Sequence, residues 1–171
     1  MACAITQGYA LDCKDTVGGL KNLYFAALSD VATVSQNASG YVTAITMAST
    51  KKFYKYELMA KGANTFVENI QTDPANGTVA YEPTYSVTFS KLQFENAYKF
   101  DLLIKNRTVI IGQTKDGSYF ISGIANGMES SGGTAASGQA MNDFQGYTLT
   151  FSGMEKTFSP EVDSTIIAAL L

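Results

Sequence analysis

The sequence predicts a mainly β domain, sandwich-like or barrel-like, with one flanking α-helix and extended terminal arms. Three observations lead there. Short runs rich in β-branched and aromatic residues are separated by turn pairs. Two late runs alternate large apolar with hydroxyl side chains, and a single stretch has helical apolar spacing. With 171 residues, 46% hydrophobic and 16% charged, the chain can bury a core and is too apolar to stay disordered.

Residues 1–18 carry no convincing period and end at Val17-Gly18-Gly19, which reads as an arm. Residues 20–28, aromatic and aliphatic, suit a buried strand; residues 34–39 read as a polar connection; residues 41–47 and 53–58 read as consecutive strands. Residues 65–71 and 78–89 flank Asp73-Pro74-Ala75-Asn76-Gly77, whose Asp-Pro and Asn-Gly pairs are turn chemistry, so they form a long hairpin. Pro83 has no N–H for a ladder, which places its strand at an edge, at a bulge, or at a partly paired point. Beyond it Tyr85, Val87 and Phe89 alternate with Ser86, Thr88 and Ser90, the period of a half-buried strand.

Residues 94–105 are the helix, because Ala97, Phe100, Leu103 and Ile104 fall on one face. Residues 108–111 and 119–121 make a second hairpin around Asp116-Gly117, a type I′ pair. The glycine-rich residues 122–142 read as flexible or ordered by contacts from elsewhere, and residues 144–152 as a final strand. Asp163-Ser164-Thr165 offers an N-cap for a short apolar helix or tail. The organisation is thus an arm over 1–18, a β domain over 19–162 and a C-terminal tail over 163–171.

Composition narrows the chemistry. Lys+Arg 12 against Asp+Glu 15 gives a net charge of -3, unlike a dedicated phosphate-backbone binder. The chain has no histidine, which excludes Ser-His-Asp triads, Cys-His dyads and HExxH zinc sites. Cys3 and Cys13 are the two cysteines, too few for a four-ligand zinc site; two reduced thiols or one disulfide both fit their spacing, the thiols being favoured in a cytoplasmic setting. The first residues lack a basic region followed by an apolar one, so no secretory signal is expected, and no apolar run reaches membrane-spanning length.

Each candidate site has a plainer reading beside it. The glycines at 18–19 and 123–138 match no phosphate-loop motif and read as turns. Asp12 with Asp15, and Glu57, Glu68 and Glu82, are the carboxylate groupings; a solvated face is favoured for them over paired acid-base work, whose geometry sequence spacing does not show. Tyr54 and Tyr56 among Lys51, Lys52 and Lys55 fit a basic-aromatic nucleic-acid patch or an edge strand with outward lysines. The sequons at Asn37, Asn76 and Asn106 carry no weight without secretion. Ile166, Ile167, Leu170 and Leu171 would leave a sticky end unless they dock on the chain's own core or on a neighbour.

Taken in order, GGLKNLYF after an irregular arm, KGANTFVENIQ with NGTVAYEPTYSVTFSKL across a turn, and FQGYTLTFSGMEK near the end resemble tail tube proteins of tailed bacteriophages. The resemblance implies a non-enzymatic virion subunit, a β-sandwich with a helix, assembling into stacked, hexameric rings that conduct DNA without binding it specifically. It implies no catalytic residue, metal or cofactor, contact with neighbouring tail proteins, no membrane, and assembly in the host cytoplasm. An interface built from the arm (Ile5, Tyr9), the edge near Pro83 and the C-terminal Ile166, Ile167, Leu170 and Leu171 fits this, with Glu68, Asp73 and Glu82 facing the lumen. An acidic wall suits sliding, since each phosphate met by Lys or Arg adds affinity. The alternatives are a head decoration or connector protein, a carbohydrate- or peptide-binding β-sandwich, and a histidine-free hydrolase.

Overall fold

The computed structural model describes residues 8–10, 16–60 and 62–171. In chain order the elements are β1 (Leu20–Ala27), β2 (Val31–Gln36), β3 (Val42–Met47), β4 (Tyr54–Glu57), β5 (Thr65–Asp73), β6 (Thr78–Ser90), α1 (Phe94–Lys105), β7 (Thr108–Thr114), β8 (Tyr119–Ser122), β9 (Glu129–Ala136), β10 (Gly146–Ser152) and α2 (Ser164–Ile167). The protein is mainly β, a sandwich with a flanking helix. One sheet has the order β4-β1-β7-β8, the other β5-β6-β10-β9, and β2 and β3 form a separate hairpin. Both larger sheets are antiparallel throughout.

Two apolar clusters explain which runs alternate and which do not. Leu23, Phe25 and Ile110 from the first sheet meet Tyr85, Val87, Phe89, Leu149 and Phe151 from the second, with Phe100 of α1 against them. On the far side of the first sheet, Tyr24, Val109, Ile111 and Ile121 pack on Val42, Phe53, Val162, Ile167 and Leu170. The first sheet is therefore buried on both faces, which is why β1 and β7 read as nearly continuous apolar runs. The second sheet is covered on one face, hence the strict alternation of β6.

Several expectations are corrected. Residues 31–36 form a strand, β2, across much of the segment expected to be a polar connection, and residues 129–136 form β9, where a glycine-rich loop was expected. The turn at Asp116-Gly117 is not type I′, which needs positive φ at both positions; only Gly117 has one, at 102°. Gly117 N–H donates to the Thr114 carbonyl and Thr114 N–H to the Ser118 carbonyl, a type I turn closed by a glycine bulge. In α1, Phe100 is buried, 4.8 Å from the Phe89 ring and 4.9 Å from Tyr147, whereas Ile104 is exposed.

Pro83 does not lie on an edge strand. β6 is central, between β5 and β10, and Pro83 is buried. The third of the sequence readings applies: the β10 ladder ends at Thr84 opposite Ser152, and pairing resumes at Tyr81 opposite Glu155. The missing N–H falls in the gap, where Gly153 N–H donates to the Pro83 carbonyl at 3.2 Å. The C-terminal residues are also not a free tail. The Asp163 carboxylate caps α2 by accepting from Thr165 N–H at 2.9 Å, Ile167 and Leu170 are buried in the second cluster, and Phe53 N–H donates to the Leu170 carbonyl at 2.8 Å.

Candidate assembly surface

The sheet β5-β6-β10-β9 is the feature with the most unmet bonding capacity. Among the described residues its outer strands, β5 and β9, pair on one side only, and most of their residues are exposed. An edge of this kind presents a row of free backbone donors and acceptors. The equivalent edge at β8 is closed by residues 160–162: Ile121 N–H donates to the Pro160 carbonyl at 3.0 Å, and Val162 N–H to the Tyr119 carbonyl at 2.8 Å. That strap is held by Glu68, whose carboxylate accepts from Ser159 N–H at 2.9 Å and from its hydroxyl at 3.0 Å. The chain of bonds continues through Ser122 Oγ, 2.7 Å from Ser159 Oγ, to the Tyr85 hydroxyl at 2.9 Å. Burial pushes the Tyr85 phenol well above its usual range, so it stays protonated and serves the network as a neutral partner. Replacing Glu68 by Ala leaves the Ser159 N–H without its acceptor and its hydroxyl with Ser122 Oγ alone. We expect a loss of about 1–3 kcal/mol, with faster amide exchange at Ile121 and Val162, measured by NMR, as the strap loosens.

Register assigns each side chain to a face. Phe66 opposite Tyr85 and Glu68 opposite Pro83 point toward the sandwich interior; Asn69 opposite Glu82 and Asp73 opposite Thr78 point outward. The outward face continues through Thr84, Ser86 and Thr88 of β6 and Thr148, Thr150 and Ser152 of β10, paired in register. None of the four strands contains a Lys or Arg. The result is a face of short hydroxyl side chains with carboxylates whose strands supply no cation; Arg107, from the link between α1 and β7, meets Glu129 at its rim.

The residues singled out from sequence distribute unevenly over this frame. Glu68, Asp73 and Glu82 do not share a face: Glu68 is on the interior side and bonded to the strap, while Asp73 and Glu82 lie outward. Asp73 accepts from Ala75 N–H at 3.0 Å and thereby fixes its turn, and Glu82 accepts from the Gln71 amide at 2.7 Å. Ile5 lies outside the described residues. Tyr9 is 90% exposed. Pro83, Ile167 and Leu170 are buried within the chain, Ile166 is half-buried against the same cluster, and Leu171 is 43% exposed. The edges of β5 and β9 take the place that the sequence reading gave to Pro83. A weak signal for β9 was available, because its glycine at 133 lies where a Cβ would meet the Thr148 carbonyl, a close approach of backbones.

The other candidate patches come apart. Tyr56 turns into the core, 5.2 Å from the Phe25 ring and 5.9 Å from Phe89, leaving only Tyr54 for stacking; Lys55 pairs with Glu57 at 2.8 Å. Among the described residues no three His, Cys, Asp or Glu side chains come together as a metal site. Nor, among the described residues, is any helix long and apolar enough to cross a membrane. Compared with protein-family models, curated proteins and solved structures, the chain matches none.

Proposed function

We propose that this chain is a tail tube subunit of a tailed bacteriophage, a structural protein whose copies close into rings around a DNA passage. The observation that carries the reading is the sheet β5-β6-β10-β9, with two open edges among the described residues and four strands that contain no Lys or Arg. Because the sheet has an even number of antiparallel strands, β5 and β9 run in opposite directions. Laying β9 of one copy beside β5 of the next by rotation about a common axis continues the antiparallel order through every joint. Head-to-tail contacts that return on themselves make a ring, and a closed sheet has no edges left to aggregate. The sandwich partner sheet and α1 then lie outside, and the hydroxyl face lines the passage.

A charge-swap experiment tests the joint. Val67 on β5 and Thr134 on β9 both belong to the outward face, since Val67 pairs with Thr84 and Thr134 with Thr148. Aspartate at both positions places like charges on the two edges that meet; lysine at Val67 with aspartate at Thr134 places opposite ones there. In negative-stain microscopy over a concentration series we expect rings or tubes from the unaltered protein, none from the double aspartate variant, and their return in the lysine-aspartate variant. Monodisperse monomers from the unaltered protein at every concentration, with few copies per virion, would remove the tube reading in favour of a decoration protein.

A further inference from the structure

Of the four edges of the two sheets, β8 is sealed by the strap and β5 and β9 serve the proposed ring; the edge of β4 is left. Among the described residues no backbone bond reaches its free side. Beside it α1 stands off the sheet, leaving two recesses of about 460 and 410 Å³ that meet at Lys99. The larger is lined mainly by Phe25, Ala27, Tyr54, Tyr56, Leu102 and Leu103. An open strand edge beside an apolar recess under a helix is the geometry in which an extended peptide adds a strand, its alternate side chains entering the recess.

Charge selects the peptide. Lys55, Lys99, Asp30 and Glu57 line the groove, and Lys51 and Lys52 reach its rim through Asp30 and the Tyr54 ring. Lys51 lies 3.6 Å from Asp30 and Lys55 pairs with Glu57, so Lys52 and Lys99 have no carboxylate partner among the described residues. This surplus of positive charge stands on a chain whose net charge is -3. Nucleic acid fits less well, because Tyr56 is withdrawn into the core and one ring, Tyr54, is left with the Lys52 ammonium 5.7 Å from its centre.

We propose that the groove between α1 and β4 binds an extended, acidic segment of a partner protein, apolar at alternate positions, as a fifth strand of the β4-β1-β7-β8 sheet. The site is on the sheet that ring closure does not use, so it stands whether or not β5 and β9 join copies. The probe is a fluorescein-labelled octapeptide alternating leucine with glutamate, titrated into the full chain alongside a counterpart with lysine in place of glutamate. We expect saturable binding of the glutamate peptide, protection from exchange of the Lys55 and Glu57 amides, which face away from β1, and at least tenfold weaker binding of the lysine peptide. Lys99→Glu, on an exposed helical position, balances the charges around the groove and should abolish the preference while leaving the melting curve unchanged. Equal binding of the two peptides by the unaltered chain, binding that leaves the Lys55 and Glu57 amides unprotected, or none at millimolar peptide overturns the proposal. So does tighter binding of an oligothymidylate at the same residues, or their protection by raising protein concentration alone, which assigns the groove to a second copy.

Discussion

A chain lacking residues 163–171 is expected to lose roughly 3–6 kcal/mol of stability, from the removal of two buried aliphatic side chains at ~1.5–3 kcal/mol each. Ile167 and Leu170 are each 6% exposed, and they cover the outer face of the first sheet together with Val42, Phe53 and Val162. Deletion also strips the Phe53 N–H of its acceptor, the Leu170 carbonyl. For a protein of this size 1 kcal/mol corresponds to about 2–4 °C, so the melting temperature measured by circular dichroism should fall by about 6–24 °C. The sequence admits the opposite outcome, in which these residues clasp a neighbour. Then the isolated subunit would melt within about 2 °C of the full chain and only assembly would be lost. The Leu171→Ala variant separates the two effects: its side chain is 43% exposed, so stability should hardly change, and any loss of rings reports an intersubunit contact there.

How far the sequence discloses this fold depends on who dictates each strand. The hairpin of β5 and β6, the helix and the hairpin of β7 and β8 carry their own instructions, in alternation, helical spacing and turn pairs. β9 does not. Its sequence, Glu129 to Ala136, holds no large apolar residue and two adjacent glycines, and it is extended because β10 offers a ladder beside it. Here tertiary pairing overrides a composition that on its own favours a loop. β2 is similar: Val31 and Val34 are its inward residues, three apart, and they share a face only because the register shifts between Val31 and Thr33. The same limit applies to the chain end, where four aliphatic residues look alike whether they cover their own sheet or another copy's.

The candidate surface was legible in part, and the missing piece was register. Glu68 and Glu82 fall on the same long hairpin, but a face can be assigned only after the closing pair of the turn is known. With Asp73 opposite Thr78, Glu68 meets Pro83 and Glu82 meets Asn69, which sends the two carboxylates to opposite faces. Composition alone could have shown the more telling fact, that no cation occurs in any of the four strands of this sheet. Reading that absence required knowing that β9 belongs with β5, β6 and β10.

The largest functional effect is expected from adding cations to that face. Thr148 and Thr150 of β10 pair with Thr88 and Ser86 on β6 and are half-exposed, so lysines there can extend their stems over neighbouring hydroxyls and keep the ammonium groups in water. The Thr148→Lys/Thr150→Lys variant should fold and assemble. In the proposed tube each subunit of every ring would then present two ammonium groups to passing DNA. Each phosphate they meet releases a counterion and steepens the salt dependence of binding by about 0.9 in log-log slope. Weak contacts repeated at every ring become a large retention, because DNA must break some as it makes others. We therefore expect virions with the double variant to eject DNA at least tenfold more slowly at low salt, with the rate recovering as salt rises. Glu95→Lys, on the exposed surface of α1, should have no such effect, since α1 packs against the inner face of this sheet, opposite the hydroxyl face. Ejection that is unchanged by the Thr148 and Thr150 substitutions at every salt concentration would place this face away from the DNA path, and the absence of cations from its strands would then need a different cause.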